Sequence, residues 1–131
     1  MIGLILVVDD APAVLEALTT VLNRLGTYGK TVTASDPRTA LEIFHAKQPR
    51  VVLIDVDLAG ESGDQAAIQI LHDSPSTKVI VMTGLDPGDA RVRAVVSAGA
   101  YALLQKPIRL ARLQEVLDLI ESEDKGLRRV T

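Results

Sequence analysis

The chain has 131 residues, with 14 basic and 17 acidic side chains and no cysteine, and 47% of its residues are hydrophobic. This length suits one compact domain. The absence of cysteine excludes disulfides, thiolate metal sites and a thiol nucleophile, and it fits a reducing cytoplasm. The formal net charge of -3 is spread along the chain, so direct binding to nucleic acid is not expected.

Five short apolar or β-branched runs predict strands, at residues 4–8, 30–34, 51–54, 79–82 and 102–104. The first run opens the sequence, but it is too short to span a bilayer and shows no cleavage-site pattern. We therefore interpret it as a strand and expect no contact with a membrane.

The segments between these runs carry apolar residues at helical spacing. The first helix is expected to end at Gly26, a residue type favoured just past a helix C-terminus. Its inner face is formed by Val14, Leu18, Val21, Leu22 and Leu25. The second and fourth helices should begin at Asp36-Pro37 and Asp86-Pro87, because an acidic N-cap followed by proline favours a first turn. The third covers residues 64–72. The fifth covers residues 110–122, and one of its faces is lined by Leu110, Leu113, Leu117 and Ile120.

Strand and helix thus alternate five times with short connections. Such units are right-handed, so we expect a doubly wound α/β sandwich with one parallel sheet covered on both faces. Residues 1–123 would form this domain. Residues 124–131 are polar and are expected to be a tail or the start of a linker.

Polar side chains follow four of the five predicted strands. Ligands bind at the carboxyl ends of strands in an open parallel sheet, so these side chains should meet at one edge. They are Asp9 and Asp10 after the first strand, Asp55 and Asp57 after the third, Thr83 after the fourth and Lys106 after the fifth.

Clustered carboxylates repel one another, and a divalent cation relieves that repulsion. With oxygen ligands alone, Mg²⁺, Mn²⁺ or Ca²⁺ would suit the cluster. A carboxylate can also attack phosphorus and form an acyl phosphate. Lys106 would then neutralise charge on the transferred group, and Thr83 would donate a hydrogen bond to it.

Along almost its whole length the sequence resembles the receiver domains of two-component response regulators. The matching motifs are Leu6-Val7-Val8-Asp9-Asp10, Val51-Val52-Leu53-Ile54-Asp55 with Gly63 eight residues later, Val81-Met82-Thr83, Gly99-Ala100 and Lys106-Pro107. The order and spacing of the five motifs are more specific than any one of them. The resemblance implies a CheY-like, flavodoxin-like fold with strand order 2-1-3-4-5.

The resemblance also implies a role for each residue of the predicted edge. Asp55 would accept the phosphoryl group, and Asp9 and Asp10 would hold Mg²⁺ together with Asp55. Asp57 would contribute its backbone carbonyl to the metal. Thr83 and Lys106 would contact the phosphoryl group, and the bond between Lys106 and Pro107 would be cis.

The implied function is signalling. A histidine kinase or phosphotransfer protein would supply the phosphoryl group in a phosphorelay, and the phosphorylated surface would change its affinity for an effector protein or domain. Members of the family often pair through the fourth and fifth helical segments, so a homodimer is one expected state. No enzymatic activity is expected beyond phosphotransfer and autodephosphorylation of the domain itself.

The sequence departs from the family pattern at several positions. Ala11 follows the acidic pair where a further acid is common. Ala59 replaces a usual proline, which is expected to loosen the loop after Asp55. Asp57 is acidic where many members are not, and we expect its side chain to alter the dephosphorylation rate. Leu103 replaces the switch aromatic, and Tyr101, two residues earlier, is expected on the same face of the strand. Either Tyr101 substitutes for that aromatic, or the output surface responds mainly by a backbone shift.

Two other functions remain open on the sequence. Asp55-x-Asp57 after an apolar strand is also the motif of haloacid-dehalogenase-type phosphatases, although the order of the other motifs differs. The chain could alternatively be a receiver fold that serves as a docking module without phosphorylation. The arginines at positions 91, 93, 109 and 112 are expected on solvated helix faces.

Overall fold

The computed structural model describes residues 3–25 and 28–124, which contain seven strands and five helices. In chain order these are β1 (Gly3–Val8), α1 (Pro12–Leu25), β2 (Gly29–Ala34), α2 (Pro37–Lys47), β3 (Val51–Asp55), β4 (Asp57–Leu58), β5 (Glu61–Ser62), α3 (Gly63–Asp73), β6 (Lys78–Thr83), α4 (Ala90–Ala98), β7 (Ala102–Gln105) and α5 (Leu110–Asp124). Five strands form one parallel sheet in the order β2-β1-β3-β6-β7. Counted among these five, the order is 2-1-3-4-5, which confirms the predicted doubly wound fold.

The sheet separates two hydrophobic clusters. Helices α2, α3 and α4 pack over one face, and α1 and α5 pack over the other. Strand β3 lies in the middle, and every residue from Val51 to Asp55 is buried. A strand covered on both faces needs a continuous apolar run rather than alternation, which explains the Val-Val-Leu-Ile sequence. No helix within the described ranges is long and apolar enough to cross a bilayer.

Helices α2, α3 and α5 begin or end close to their predicted positions. Asp36 caps α2 as expected, since its side chain accepts a hydrogen bond of 2.8 Å from the Thr39 amide. Helix α5 continues to Asp124, the first residue of the predicted tail; the rest of that tail and Gly26 lie outside the described residues. Leu110 is 49% exposed, whereas the other residues of the predicted α5 face, Leu113, Leu117 and Ile120, are buried. Leu110 begins α5 and, with Val14 of α1, lines an open groove beyond the buried cluster.

Helix α4 begins later than predicted, at Ala90 rather than beside Pro87. Residues 86–89 form a turn, in which the Asp89 amide donates to the carbonyl of Asp86 at 2.9 Å. Aspartate, proline and glycine in succession favour such a turn over a helical start. Asp89 is the actual N-cap, and its side chain accepts a 2.9 Å hydrogen bond from the amide of Arg91.

A short hairpin that was not predicted follows the central strand. Strands β4 and β5 are antiparallel and are joined by Ala59 and Gly60. Both joining residues have a positive φ, 50° and 83°, as a two-residue type I′ turn requires. Proline cannot adopt this φ, so the alanine that replaces the family's usual proline is compatible with this loop.

Ala59 gives a test of that turn. Ala59→Gly is expected to stabilise the protein by about 0.5–1 kcal/mol, because glycine adopts the left-handed region without a steric penalty. Ala59→Pro should destabilise it, because proline fixes φ near -65°. Urea unfolding of the three proteins measures both changes. Equal stability of all three would contradict the turn.

Tyr101 does not lie on the same face as Leu103, contrary to the expectation from strand alternation. Tyr101 precedes β7 and packs with the α1 and α5 cluster, whereas Leu103 packs with the opposite cluster. Alternation therefore starts only with the strand itself. The Tyr101 hydroxyl donates to Glu123 Oε2 at 2.7 Å, and Lys78 Nζ lies 5.1 Å from the ring centre.

This arrangement predicts a loss of stability at high pH. Burial, together with the hydrogen bond and charge of Glu123, raises the pKa of Tyr101 to about 12. A raised pKa favours the protonated phenol in the fold, so its contribution is complete below the unfolded-state pKa and is lost as the pH rises towards the folded value. We expect the melting temperature of the wild type to fall more than that of Tyr101→Phe between about pH 8 and about pH 11. Parallel curves would contradict this.

Candidate functional site

The carboxyl ends of β1, β3, β6 and β7 reach the same edge of the sheet. Val8 is level with Ile54, Asp55 with Met82, and Thr83 with Gln105. The next residues along β1 and β7 are Asp9 and Lys106. Strand register therefore brings together side chains that are up to 97 positions apart in sequence.

Three carboxylates converge at this edge. Asp9, Asp10 and Asp55 each offer an oxygen, and the three oxygens lie within 4.8 Å of one another. Asp9 is fully buried and Asp55 is 5% exposed, whereas Asp10 is exposed. Backbone amides orient the two buried groups, because Ala11 donates to Asp9 Oδ1 and Asp57 donates to Asp55 Oδ1, both at 2.9 Å.

Lys106 bridges the two buried carboxylates. Its Nζ donates to Asp9 Oδ2 at 2.7 Å and to Asp55 Oδ2 at 2.6 Å. The Lys106 amide donates to the Thr83 carbonyl at 2.7 Å, which fixes the chain where it leaves the sheet. The bond from Lys106 to Pro107 is cis, as the resemblance implied.

Burial and charge act against each other at this bridge. Burial raises the pKa of Asp55 above its usual value, while hydrogen bonds from Lys106 and the Asp57 amide oppose the shift. Desolvation acts to lower the pKa of Lys106, but hydrogen bonds to Asp55 and Asp9 outweigh it, and the pKa is raised. The site therefore favours a cation, and Lys106 stays protonated.

Thr83 is fully buried at the end of β6. Its Oγ1 accepts a 2.9 Å hydrogen bond from the Leu85 amide. A hydroxyl that accepts one hydrogen bond keeps its own hydrogen for donation. The side-chain amide of Gln105 donates to the carbonyl of Leu85 at 2.7 Å and to that of Thr83 at 3.3 Å. This clip joins the ends of β6 and β7.

The Asp57 carboxylate is not part of the three-carboxylate group. Its Oδ1 accepts a hydrogen bond from the Gly60 amide at 3.2 Å and lies 3.9 Å from Arg91 Nη1. Arg91 also pairs with Asp89, 3.2 Å from Nε to Oδ1. Arg91 is 42% exposed, as expected for a solvated helix face, and in addition it pairs with these two carboxylates.

Gly63 lets α3 approach the strand that carries Asp55. A Cβ at this position would lie 2.1 Å from the Asp55 carbonyl oxygen and 2.8 Å from that of Val56. Only glycine fits against this backbone, which accounts for its place eight residues after Asp55.

A family model described as the response regulator receiver domain matches residues 5–118 of the chain. The chain belongs to this family. Its fold, its order of motifs and its acidic cluster all agree with that membership.

Named relatives support the same assignment. The receiver domain is 28% identical over 116 residues to the chemotaxis protein CheY of Thermotoga maritima, covering 88% of this chain and 95% of that protein. It is 32% identical over 113 residues to a protein-glutamate methylesterase/protein-glutamine glutaminase of Xanthomonas campestris pv. campestris, covering 86% of this chain but 32% of that protein. The chain thus spans about a third of the length of such methylesterases.

A solved receiver domain from Clostridium thermocellum superposes on this chain with a TM-score of 0.83 at 27% identity. That match covers 96% of this chain and 99% of the solved one. A signal receiver domain of a DNA-binding response regulator from Colwellia psychrerythraea superposes with a TM-score of 0.82, also at 27% identity, covering 92% and 98%.

The donor set of the receiver fits Mg²⁺. Only oxygen ligands are offered, and one of the three carboxylates is open to solvent, so water can complete the coordination shell that Mg²⁺ prefers. Asp9, Asp10 and Asp55 are the side chains that would hold the ion. The buried carboxylates already attract one cation, Lys106.

Asp9, Asp10 and Asp55 meet at this edge as the sequence predicted, whereas Gln105 and Arg91 were not predicted to lie beside them. Gln105 carried a signal, since it is the residue before Lys106 at a strand end. Arg91 was obscured by the misplaced start of α4. A helix that begins at Ala90 puts Arg91 in its first turn, beside the N-cap and the sheet edge.

Proposed function

We propose that this receiver domain accepts a phosphoryl group on Asp55 from the phosphohistidine of a kinase or phosphotransfer protein. The observation that carries the proposal is the joint contact of Lys106 with Asp9 and Asp55, inside a group of three carboxylates. A nucleophile, a fixed cation and a metal-binding group are thereby next to one another.

The proposed step is a displacement at phosphorus. Asp55 Oδ1 stays held by the Asp57 amide, and Oδ2, on the Lys106 side, attacks. An O–P bond forms, the P–N bond breaks, and the departing imidazole retains the bonding pair. Mg²⁺ held by Asp9, Asp10 and Asp55, with the Asp57 carbonyl, would supply charge neutralisation for this step.

Thr83 and Lys106 stabilise the product in this proposal. The free hydroxyl hydrogen of Thr83 donates to a phosphoryl oxygen, and the Lys106 ammonium passes from the carboxylates to the new anionic group. Both side chains begin the step in fixed positions, so little reorganisation is required.

The consequence of phosphorylation is a change of surface near the ends of β6 and β7. Movement at Thr83 passes to Leu85 and Gln105 through their hydrogen bonds. The output is altered binding of an effector protein or domain, or formation of a homodimer. The domain would act in the cytoplasm and have no catalytic activity beyond its own phosphotransfer and autodephosphorylation.

Phosphorylation is tested by intact mass after incubation with acetyl phosphate and Mg²⁺. We expect the mass of one phosphoryl group on the wild type, none on Asp55→Asn, and a strong loss of signal on Asp9→Asn/Asp10→Asn. Ser62→Ala is a control that should behave as the wild type. No gain in mass for the wild type would favour the docking module.

A further inference from the structure

We propose that Arg91 is a charge-balancing residue of the phosphorylation site, which pairs with Asp57 and offsets the repulsion between that carboxylate and an incoming phosphoryl group. The inference rests on the proposed phosphorylation of Asp55. Arg91 acts through Asp57 and is a positioning residue.

Asp57 is close to the site because of the backbone that joins it to Asp55. The Asp57 amide donates to Asp55 Oδ1 at 2.9 Å. The Asp57 side chain starts from the Cα bonded to that amide nitrogen, so it begins beside the Asp55 carboxylate. That side chain is 43% exposed. A carboxylate this near to an aspartate that receives an anionic group raises the cost of the transfer.

Two contacts restrain the Asp57 carboxylate. The Gly60 amide, in the turn of the β4–β5 hairpin, donates to Oδ1 at 3.2 Å, and Arg91 Nη1 lies 3.9 Å from the same atom. Gly60 supplies a neutral donor. Arg91 supplies the positive charge and approaches from α4.

Arg91 is itself held in place. Its Nε lies 3.2 Å from Asp89 Oδ1 and its Nη2 lies 3.5 Å from Asp89 Oδ2. Nε and Nη2 of Arg91 therefore both contact Asp89, the N-cap residue of α4, and the third nitrogen, Nη1, faces Asp57. A planar guanidinium presents its N–H donors in a rigid fork, so the contact with Asp89 also sets the direction of Nη1.

A count of the charges at the site shows that Asp57 needs a positively charged partner of its own. Lys106 and one divalent cation balance the three clustered carboxylates, Asp9, Asp10 and Asp55. Asp57 adds a fourth negative charge on the same rim, and the phosphoryl group brings more. Of the cations with described contacts, Arg91 is the one that pairs with Asp57.

The decisive experiment uses Arg91→Gln with Arg93→Gln as matched control. Arg93 is an exposed arginine on the same helix. The first measurement is the dissociation constant of Mg²⁺ without any phosphodonor, from NMR titration of backbone amide signals. The second is the phosphorylation rate with acetyl phosphate at saturating Mg²⁺, from intact mass. Both are repeated in the Asp57→Asn background.

We expect opposite signs for the two measurements. Removal of a positive charge should tighten Mg²⁺ binding by about two- to threefold and slow phosphorylation by roughly three- to tenfold. A variant that had merely lost structure would show both processes weakened. Added salt should reduce the rate difference, because the charges are partly solvated. In the Asp57→Asn background, the logarithm of the rate ratio between the proteins with and without Arg91 should be less than half of its value in the wild-type background.

Three results would overturn the inference. Arg91→Gln could phosphorylate as fast as Arg93→Gln, it could weaken Mg²⁺ binding, or it could slow the reaction equally with and without the Asp57 carboxylate. A wild type that gains no phosphoryl group overturns the proposed function instead. The Mg²⁺ titration alone then decides whether Arg91 sets the charge at this edge.

Discussion

Replacing Gly63 by alanine is expected to lower the free energy of unfolding by about 3–5 kcal/mol. The added methyl group would meet two backbone carbonyl oxygens, 2.1 Å from that of Asp55 and 2.8 Å from that of Val56. Backbone atoms in a central strand cannot rotate away as a side-chain tip can. Helix α3 would therefore have to move off β3, and the buried contacts of Ala66, Ala67 and Ile70 would loosen.

Chemical unfolding measures this effect, and Gly84→Ala serves as its control. A Cβ on Gly84 would have no atom within 4 Å, although that residue also lies at the carboxyl edge of the sheet. We expect the control to change stability by less than about 0.5 kcal/mol. A loss of similar size in both variants would show that the close approach is not the cause.

Lys106→Met is expected to cost about 2–4 kcal/mol of stability in the absence of divalent cations. The substitution keeps most of the side-chain volume but removes the positive charge. Asp9, with no exposed surface, and Asp55, with 5%, would be left as buried carboxylates without their shared partner. The penalty follows from this loss of compensation rather than from lost packing.

Mg²⁺ provides the second half of this test. A cation that binds the same carboxylates should restore stability in the variant, by about 2.7 kcal/mol at 100 times its dissociation constant. Lys78→Met is the control, since Lys78 pairs with exposed Glu123 at 3.4 Å at the other end of the sheet. We expect that control to lose less than about 1 kcal/mol and to show no rescue. A Lys106→Met protein as stable as the wild type would contradict the bridge.

The site was predictable because strand ends are easy to identify. Apolar runs that stop at a charged or hydroxyl residue mark the carboxyl edge, and parallel topology brings those edges together. The positions of Asp9, Asp10, Asp55 and Lys106 could therefore be predicted without knowledge of side-chain geometry. Thr83 followed from the same rule, and the strand order confirmed its position beside β7.

The features that the sequence did not reveal depend on local backbone conformation. Asp86 and Asp89 are both credible N-caps, and the choice between them depends on a turn that closes over Pro87 and Gly88. The hairpin requires Ala59 to adopt a positive φ, and an alanine in the sequence gives no indication of that conformation. Such conformations are settled by the packing of neighbouring elements, not by residue type.

Tyr101 illustrates a different limit. Strand alternation is a reliable guide only inside the hydrogen-bonded ladder, and β7 begins one residue later. The ring consequently turns to the α5 side, where Glu123 accepts its hydroxyl hydrogen. Tyr101 lies at the opposite end of β7 from Gln105 and Lys106. Its ring is therefore not placed where it could respond to a movement of Thr83, and position 103 carries a leucine.

The bridge from Lys106 to Asp9 spans 97 positions of sequence. During synthesis the N-terminal carboxylates emerge long before their ammonium partner, and bringing such distant residues together costs loop-closure entropy. A chain shorter than residue 106 would leave Asp9 and Asp55 without that counter-charge. The reactivity proposed for Asp55 would therefore depend on the docking of β7, the last strand of the sheet.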